Sequence, residues 1–445
     1  MGKRVKIPPI AIFARMGPRE LVLIFLILFA IGACVELALN LLNRREALRH
    51  TSIPPLFSGA AFGGRLDQAG FLRSRAYTLE RLAFERVSAF WSAAVTLGLL
   101  FSGLLPALDS LLARAVGDGL TRGALFFAAV AAIPSLLGLP FTAWSTFRIE
   151  GRYGFNTMTW GLFWRDLLRG LALSAALGLP LLYAVMAFLR FTGAAWWLWA
   201  FAFVLAYQIL LVALYPLLIA PLFNRFQPLA DGELRSGLLA LAHSLDFPAA
   251  GIFVMDGSRR SLHSNAYFTG FGRFRRIVLY DTLLRQMDRA ELEGVLAHEI
   301  GHYKRRHILK RMVAQAIMLG ATLWLASLAL RQPALYQAFG FASAPTGAFA
   351  GPPAAGLYLF LTLFSALSLL TMPIQNLVSR RHEFEADAFA IAATGQSQAM
   401  QSALIKLSEK NLSNLTPHPW YSGFHYSHPT LAERLKALEP SPHPT

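Results

Sequence analysis

Seven stretches of the chain are continuously apolar over about 20 residues, near 21–42, 87–108, 124–144, 167–188, 196–218, 313–330 and 355–377. A helix rises about 1.5 Å per residue, so each stretch can cross the roughly 30 Å hydrocarbon core of a bilayer. No water is available there for backbone N–H and C=O groups, and a helix satisfies them internally. The pattern therefore predicts seven spanning helices. Between the fifth and sixth stretches it changes character. Asp231 to Leu245 repeats at helical period with one apolar face, whereas 251–255, 264–270 and 277–280 read as short strands. Helix then returns: Asp288 and Glu291 form a capping-box pattern, followed by an apolar stripe of Leu292, Val295, Leu296 and Ile300.

Composition agrees with this reading. Apolar residues make up 55 % of the 445, the mean hydropathy is +0.46 and 15 % are charged, against about 25 % in soluble proteins. The net charge of +16 suggests nucleic acid until its distribution is considered. In a seven-span topology, 43–86, 145–166, 219–312 and 378–445 share one side and hold 31 Lys and Arg; 1–20, 109–123, 189–195 and 331–354 hold 9. The positive-inside rule makes the first side cytoplasmic. The partner expected for this charge is the lipid bilayer, not nucleic acid. Lys3, Arg4, Lys6, Arg15 and Arg19 lie on the predicted outer side and argue against that orientation. The first apolar stretch is too long for a signal-peptide core and lacks a small-residue cleavage site, so it is expected to be a retained span. Cys34, the single cysteine, excludes an intrachain disulfide and is expected to be a buried, inert thiol.

The candidate chemistry lies on the predicted helix after the strands. In His298-Glu299-Ile300-Gly301-His302 the two histidines, four apart, share one helix face and can bind one zinc ion, with Glu299 placed to reach a water on the metal. Zinc needs a third protein ligand and an open position for hydrolysis. Glu383, in Ser379-Arg380-Arg381-His382-Glu383-Phe384-Glu385-Ala386-Asp387, can complete a site of two histidines and one glutamate. Asp387, one turn on, suits a hydrogen bond that orients an imidazole; alone, such a pair would more often be a solvated acidic face. His382 and Glu385 compete as donors but do not share Glu383's alignment with Asp387. In the tail, Thr430 and Glu433 form another capping-box pattern around His428 and Arg434. These two could stabilise an oxyanion near zinc or belong to a capped surface helix, and spacing slightly favours the second. The short strands could bind an extended peptide at a free edge or serve only as structure.

With these motifs assembled, the chain resembles the type I CAAX prenyl protease family, integral-membrane zinc endopeptidases that trim prenylated proteins. The resemblance is carried by His298–His302, residues 379–390, His263-Ser264-Asn265-Ala266-Tyr267-Phe268, residues 277–284 and 426–435, and by two further blocks at 147–156 and 219–226. It implies His298, His302 and Glu383 as ligands of one zinc ion per chain and Glu299 as base. It also implies Asn265 as a contact to the substrate backbone, and His428 and Arg434 as transition-state stabilisers. The implied fold is mostly α: seven transmembrane helices around a chamber, with an α+β zinc-protease domain on the cytoplasmic side. Tyr303 stands where eukaryotic members usually have tryptophan, and the tail Ser441-Pro442-His443-Pro444-Thr445 shows no retrieval signal. Those departures lean toward a bacterial inner membrane, with the endoplasmic reticulum as the alternative.

The expected organisation is a five-span membrane domain at 1–218, a catalytic segment with sheet and zinc helix at 219–312, spans six and seven at 313–377, and a C-terminal catalytic segment at 378–445. The expected function is peptide-bond hydrolysis by a membrane zinc endopeptidase, in CAAX-type processing or membrane-protein quality control. Its partner would be a peptide or protein, prenylated or otherwise membrane-associated. The competing reading is a transporter or lipid-binding protein with a structural metal, supported by Glu36 inside the first span. A structural zinc normally has four protein ligands, and the sequence offers three.

Overall fold

The computed structural model describes residues 16–58, 67–247, 249–270, 275–342 and 348–439. Lys3, Arg4, Lys6, Arg15 and the tail 441–445 lie outside the described residues. Five helices, α1 (Pro18–Arg49), α2 (Gln68–Phe101), α3 (Leu120–Glu150), α4 (Trp160–Phe191) and α5 (Gly193–Phe223), are long and apolar enough to cross a membrane. A soluble segment follows, with α6 (Glu233–Ser244), a four-stranded sheet and α7 (Arg289–Lys304). The sixth span is α8 (His307–Ala329). The seventh expected stretch falls on a pair, α9 (Pro353–Ser365) and α10 (Ser368–Thr394), bent by 62° at their junction, the geometry of a broken span or a re-entrant loop. Helices α11 (Ser397–Lys410) and α12 (Leu431–Leu438) close the described chain.

Six of the seven expected spans are single helices long and apolar enough to cross a membrane, and the seventh falls on the bent pair; in each, hydropathy marks only the apolar part of the helix. Residues 43–86, expected as a loop, are largely helical: α1 continues to Arg49 and α2 already begins at Gln68. Side-chain polar bonds hold these extensions. Asn43 is buried and accepts from the His418 backbone N–H at 3.0 Å and from Asn414 at 3.2 Å. Asn40 donates to the Leu82 carbonyl at 3.2 Å and accepts from Arg86 at 2.6 Å.

The most apolar window of each of the six unbent spans buries only 6–17 % of its residues within the protein. The apolar side chains of these windows are mostly left uncovered by protein, as suits helices whose surroundings are lipid. Cys34 corrects an expectation: it is exposed on α1. One apolar cluster, including Leu105, Phe126, Trp196, Tyr336 and Leu359, gathers where α2, α4 and α8 finish and α3, α5 and α9 begin. It lies at the end of the spans away from α7.

The sheet has the order β1 (Phe226–Pro228), β2 (Ala249–Met255), β4 (Arg275–Tyr280), β3 (Ala266–Thr269). β2 and β4 are parallel, and β3 runs antiparallel to β4 with Ala266 opposite Leu279. β3 is therefore an edge strand. A second cluster packs Ile252, Ile277 and Leu279 of the sheet against Leu238 of α6 and Leu292, Val295, Leu296 and Ile300 of α7, which is the stripe the sequence assigned to the core.

Candidate active site

The capping box that begins α7 is formed as its sequence implies. Asp288 accepts from the Glu291 backbone N–H at 3.0 Å, and Glu291 accepts from that of Asp288 at 2.9 Å. Glu291 is buried and pairs with Lys406 of α11 at 2.5 Å, fixing the helix from its other side. At its far end α7 crosses α10 where Gly301 leaves no room for a side chain. A Cβ there would lie 3.1 Å from Ala386 Cα and 3.2 Å from Phe389 Cβ. That close approach carries Glu383 and Asp387 up to the two histidines.

Three donor atoms converge. His298 Nε2 and His302 Nε2 are 3.2 Å apart, and each lies 3.4 Å from an oxygen of Glu383. Two imidazole nitrogens have no reason to face each other unless a proton or a cation lies between them. For zinc bonds of about 2.0–2.1 Å, a tetrahedron has edges of about 3.3 Å, close to all three separations. Glu383 is buried, and its Oε2 has no hydrogen-bond partner, an expensive arrangement unless a cation meets it. The donor set fits zinc.

Behind this triad the other imidazole nitrogens are held. His298 Nδ1 is 2.8 Å from Asp387 Oδ1. Arg434 donates to both Asp387 oxygens, from Nε at 2.8 Å and from Nη2 at 2.5 Å. His302 Nδ1 lies 2.9 Å from His307 Nδ1, and His307 Nε2 meets Glu385 at 3.1 Å. His382 stacks on His307 with ring centroids 4.0 Å apart. Glu385 and His382, weighed as competing ligands, thus lie on the far side of His302 from the triad. Sequence reasoning missed His307. The only signal was a histidine five residues after His302, brought round by the left-handed backbone of Arg306 (φ 56°) that separates α7 from α8.

The remaining candidates surround the same point. His428, largely exposed, has Nε2 3.5 Å from Glu383 Oε1. Thr430 and Glu433 form the second capping box, with Glu433 accepting from the Thr430 backbone N–H at 2.7 Å, and α12 then points Arg434 at Asp387. Asn265 is exposed at the start of the edge strand; its Oδ1 accepts from the Ala266 backbone N–H at 2.8 Å. Glu36 meets His425 at 3.3 Å, so the acid within the apolar stretch of α1 faces the segment that carries His428.

Comparison with known proteins places the whole chain. Residues 43–225 match a family described as CAAX prenyl protease N-terminal, five membrane helices, and residues 228–441 match peptidase family M48. The chain belongs to peptidase family M48. Among its relatives, a CAAX prenyl protease 1 homolog of Arabidopsis thaliana is 38 % identical, over 89 % of this chain and 93 % of the relative. CAAX prenyl protease 1 of Saccharomyces cerevisiae is 35 % identical, over 88 % and 90 %. The human CAAX prenyl protease 1 homolog is 33 % identical, over 89 % and 90 %. The crystal structure of S. mikatae Ste24p superposes with a TM-score of 0.85 at 33 % identity, covering 94 % of this chain and 99 % of that one. As an M48 peptidase this multi-pass membrane protein is a zinc metalloprotease.

The electrostatics of this M48 site suit proton transfer. Burial pushes the Glu299 carboxyl above its ordinary range, toward the value a general base needs to take and return a proton near neutrality. Burial works against a charge on His298, but its hydrogen bond to Asp387 and the neighbouring Glu383 carboxylate outweigh that and hold its pKa up to about 9. Without metal the site keeps a proton on this ring, so loading zinc must release it.

Proposed function

We propose that this protein hydrolyses peptide bonds of membrane-associated substrates at a single zinc site formed by His298, His302 and Glu383. The reading rests on one observation: three donors at tetrahedral-edge distances, with Glu299 on the same helix, beside an unpaired strand edge. A zinc ion held there would supply Lewis acidity toward a peptide carbonyl and toward water. Glu299 takes the proton of the attacking water and gives it to the departing amine nitrogen. An extended peptide adds to the outer edge of β3, with main-chain bonds reading its backbone and Asn265 marking one end. His428, beside Glu383 and exposed to the cleft, donates to the oxygen that becomes negative as the carbonyl is attacked. Arg434, expected as a stabiliser beside His428, also supports the ligands: its fork grips Asp387, and Asp387 holds His298.

The relatives are named CAAX prenyl proteases, which makes a prenylated C-terminal peptide the favoured substrate class. The four segments with 31 Lys and Arg, which include the site, face the cytoplasm. The relatives named above are eukaryotic; that kinship fits an endoplasmic-reticulum membrane and lends no support to a bacterial inner membrane. The transporter reading loses ground, because Glu36 is paired with His425 and the metal site has three protein ligands, not four.

The decisive experiment purifies the protein in detergent, measures metal content and compares cleavage of prenylated and unprenylated peptides. One zinc per chain and faster cleavage of the prenylated peptide are expected. Equal turnover of both peptides would redirect the reading to general membrane-protein quality control. No turnover of either by the zinc-loaded protein would defeat the peptidase reading.

A further inference from the structure

The last turns of α3, Ser145–Glu150, are wound as a π helix, a local irregularity that often marks a functional position. It delivers Glu150 to the approach to the edge strand. One Glu150 oxygen accepts from Tyr77 Oη of α2 at 2.6 Å, and the other lies 3.1 Å from His263 Nε2. The second ring nitrogen of His263 lies 3.1 Å from Asn411 Oδ1. The ring also stacks on Phe155, with centroids 3.9 Å apart and planes inclined by 19°. Asn411 in turn binds the backbone on both sides of the next residue, accepting from the Ser264 N–H at 3.1 Å and donating to its carbonyl at 3.3 Å. Asn265 and β3 follow directly.

The edge strand is thus secured from outside its own sheet. β3 is four residues long and pairs with β4 along one side only; a strand this short has little register stability of its own. We propose that Glu150 is a positioning residue for substrate: through His263 and Asn411 it fixes residues 263–265, so that β3 presents its free edge in one register beside the zinc site. The membrane helices α2 and α3 would then set peptide affinity directly, which nothing in the zinc chemistry requires. Glu150 touches neither the triad nor Glu299, so its loss should leave metal binding and the chemical step alone. This inference rests on the reading of β3 as the peptide-binding edge.

The test uses the zinc-loaded, full-length protein, a peptide substrate at varied concentration, and amide hydrogen exchange of residues 266–269 without substrate. Glu150→Gln keeps an acceptor for Tyr77 but loses the charge opposite His263. It should raise KM about tenfold with kcat within about twofold, leave zinc content unchanged and speed exchange in β3 about tenfold. Added to Asn265→Ala it should raise KM by less than about twofold more, because both act on one contact. His263→Gln, whose amide N–H reaches where Nε2 does, should keep a lower KM than His263→Ala, and this pair decides the matter if Glu150→Gln does not fold. A raised KM in Asn265→Ala with a normal KM in Glu150→Gln would overturn the proposal. If Asn265→Ala has a normal KM, the edge-strand reading fails instead. The exchange measurement then decides positioning alone: faster exchange in Glu150→Gln upholds it, and unchanged exchange defeats it.

Discussion

Two helices of this protein invert the usual relation between apolarity and burial. The spanning helix α4 is almost wholly apolar, yet buries four of its 32 residues. The shorter α7 carries two histidines, three glutamates and a lysine in 16 residues, and buries nine. In a bilayer an apolar side chain gains nothing by leaving lipid for protein, so α4 is fixed by length and a few seam contacts. For α7 most of the surroundings are protein, and every buried polar group must find a partner. Glu291 has Lys406, His298 Nδ1 has Asp387, and the two Nε2 atoms of His298 and His302 turn toward Glu383 of α10. Between these two helices, burial follows the chemistry each carries and not its apolarity.

If that contrast is right, the effects of substitution should fall steeply from α7 to α4. The largest expected effect is on turnover: Glu299→Gln should lower kcat by about 10²–10⁴-fold or more while zinc content stays near one per chain. Retained activity with full metal would remove Glu299 from the reaction. Next come the groups behind the ligands. Asp387→Asn or Arg434→Ala should weaken zinc affinity by about 10–100-fold, as measured by competition with a chelator. His428→Ala should instead spare zinc and reduce mainly kcat, by about 10²–10³-fold if it donates to the oxyanion. Metal loss in that variant would make His428 a ligand.

A pH measurement sharpens the same comparison. The raised pKa of His298, about 9 without metal against an ordinary 6.5, means its contribution to stability is fully present below about 6.5 and lost as pH rises through about 9. The metal-free protein should therefore melt at a lower temperature at pH 9.5 than at pH 6.5, and zinc affinity should rise about tenfold per pH unit up to about 9. A zinc affinity independent of pH would contradict the proton held at His298.

The smallest effects test packing. Gly301→Ala forces a methyl group against the α10 backbone and should cost about 1–3 kcal/mol, together with some zinc affinity, since the ligands straddle that crossing. On α4, Leu168→Ala, at a residue 65 % exposed, should change stability by less than about 0.5 kcal/mol. Comparable losses at both positions would mean that α4 is packed within the protein after all.

The sequence by itself determined what is written in short-range periodicity and residue chemistry. The seven apolar stretches, the Asp288 and Thr430 caps, the strands before α7, and the pairing of His298 with His302 all depend on residues within a turn or two of one another. Glu383 was also legible, because zinc chemistry demands a third ligand and Glu383 lies one helical turn from Asp387, on the same face. Tertiary structure decided the rest. Helix α2 begins 19 residues before its apolar stretch because Asn414, His418 and other distant groups satisfy the polar ends of α1 and α2, and hydropathy does not record such partners. Nothing in the spacing around Arg434 revealed its contact with Asp387, 47 residues away. His307 became the support of His302 only through the left-handed turn at Arg306, and Glu150 met His263 across 113 residues. Local propensity acts along the chain over a few residues, whereas the orientation of a ligand depends on which groups the packed helices bring to its other side.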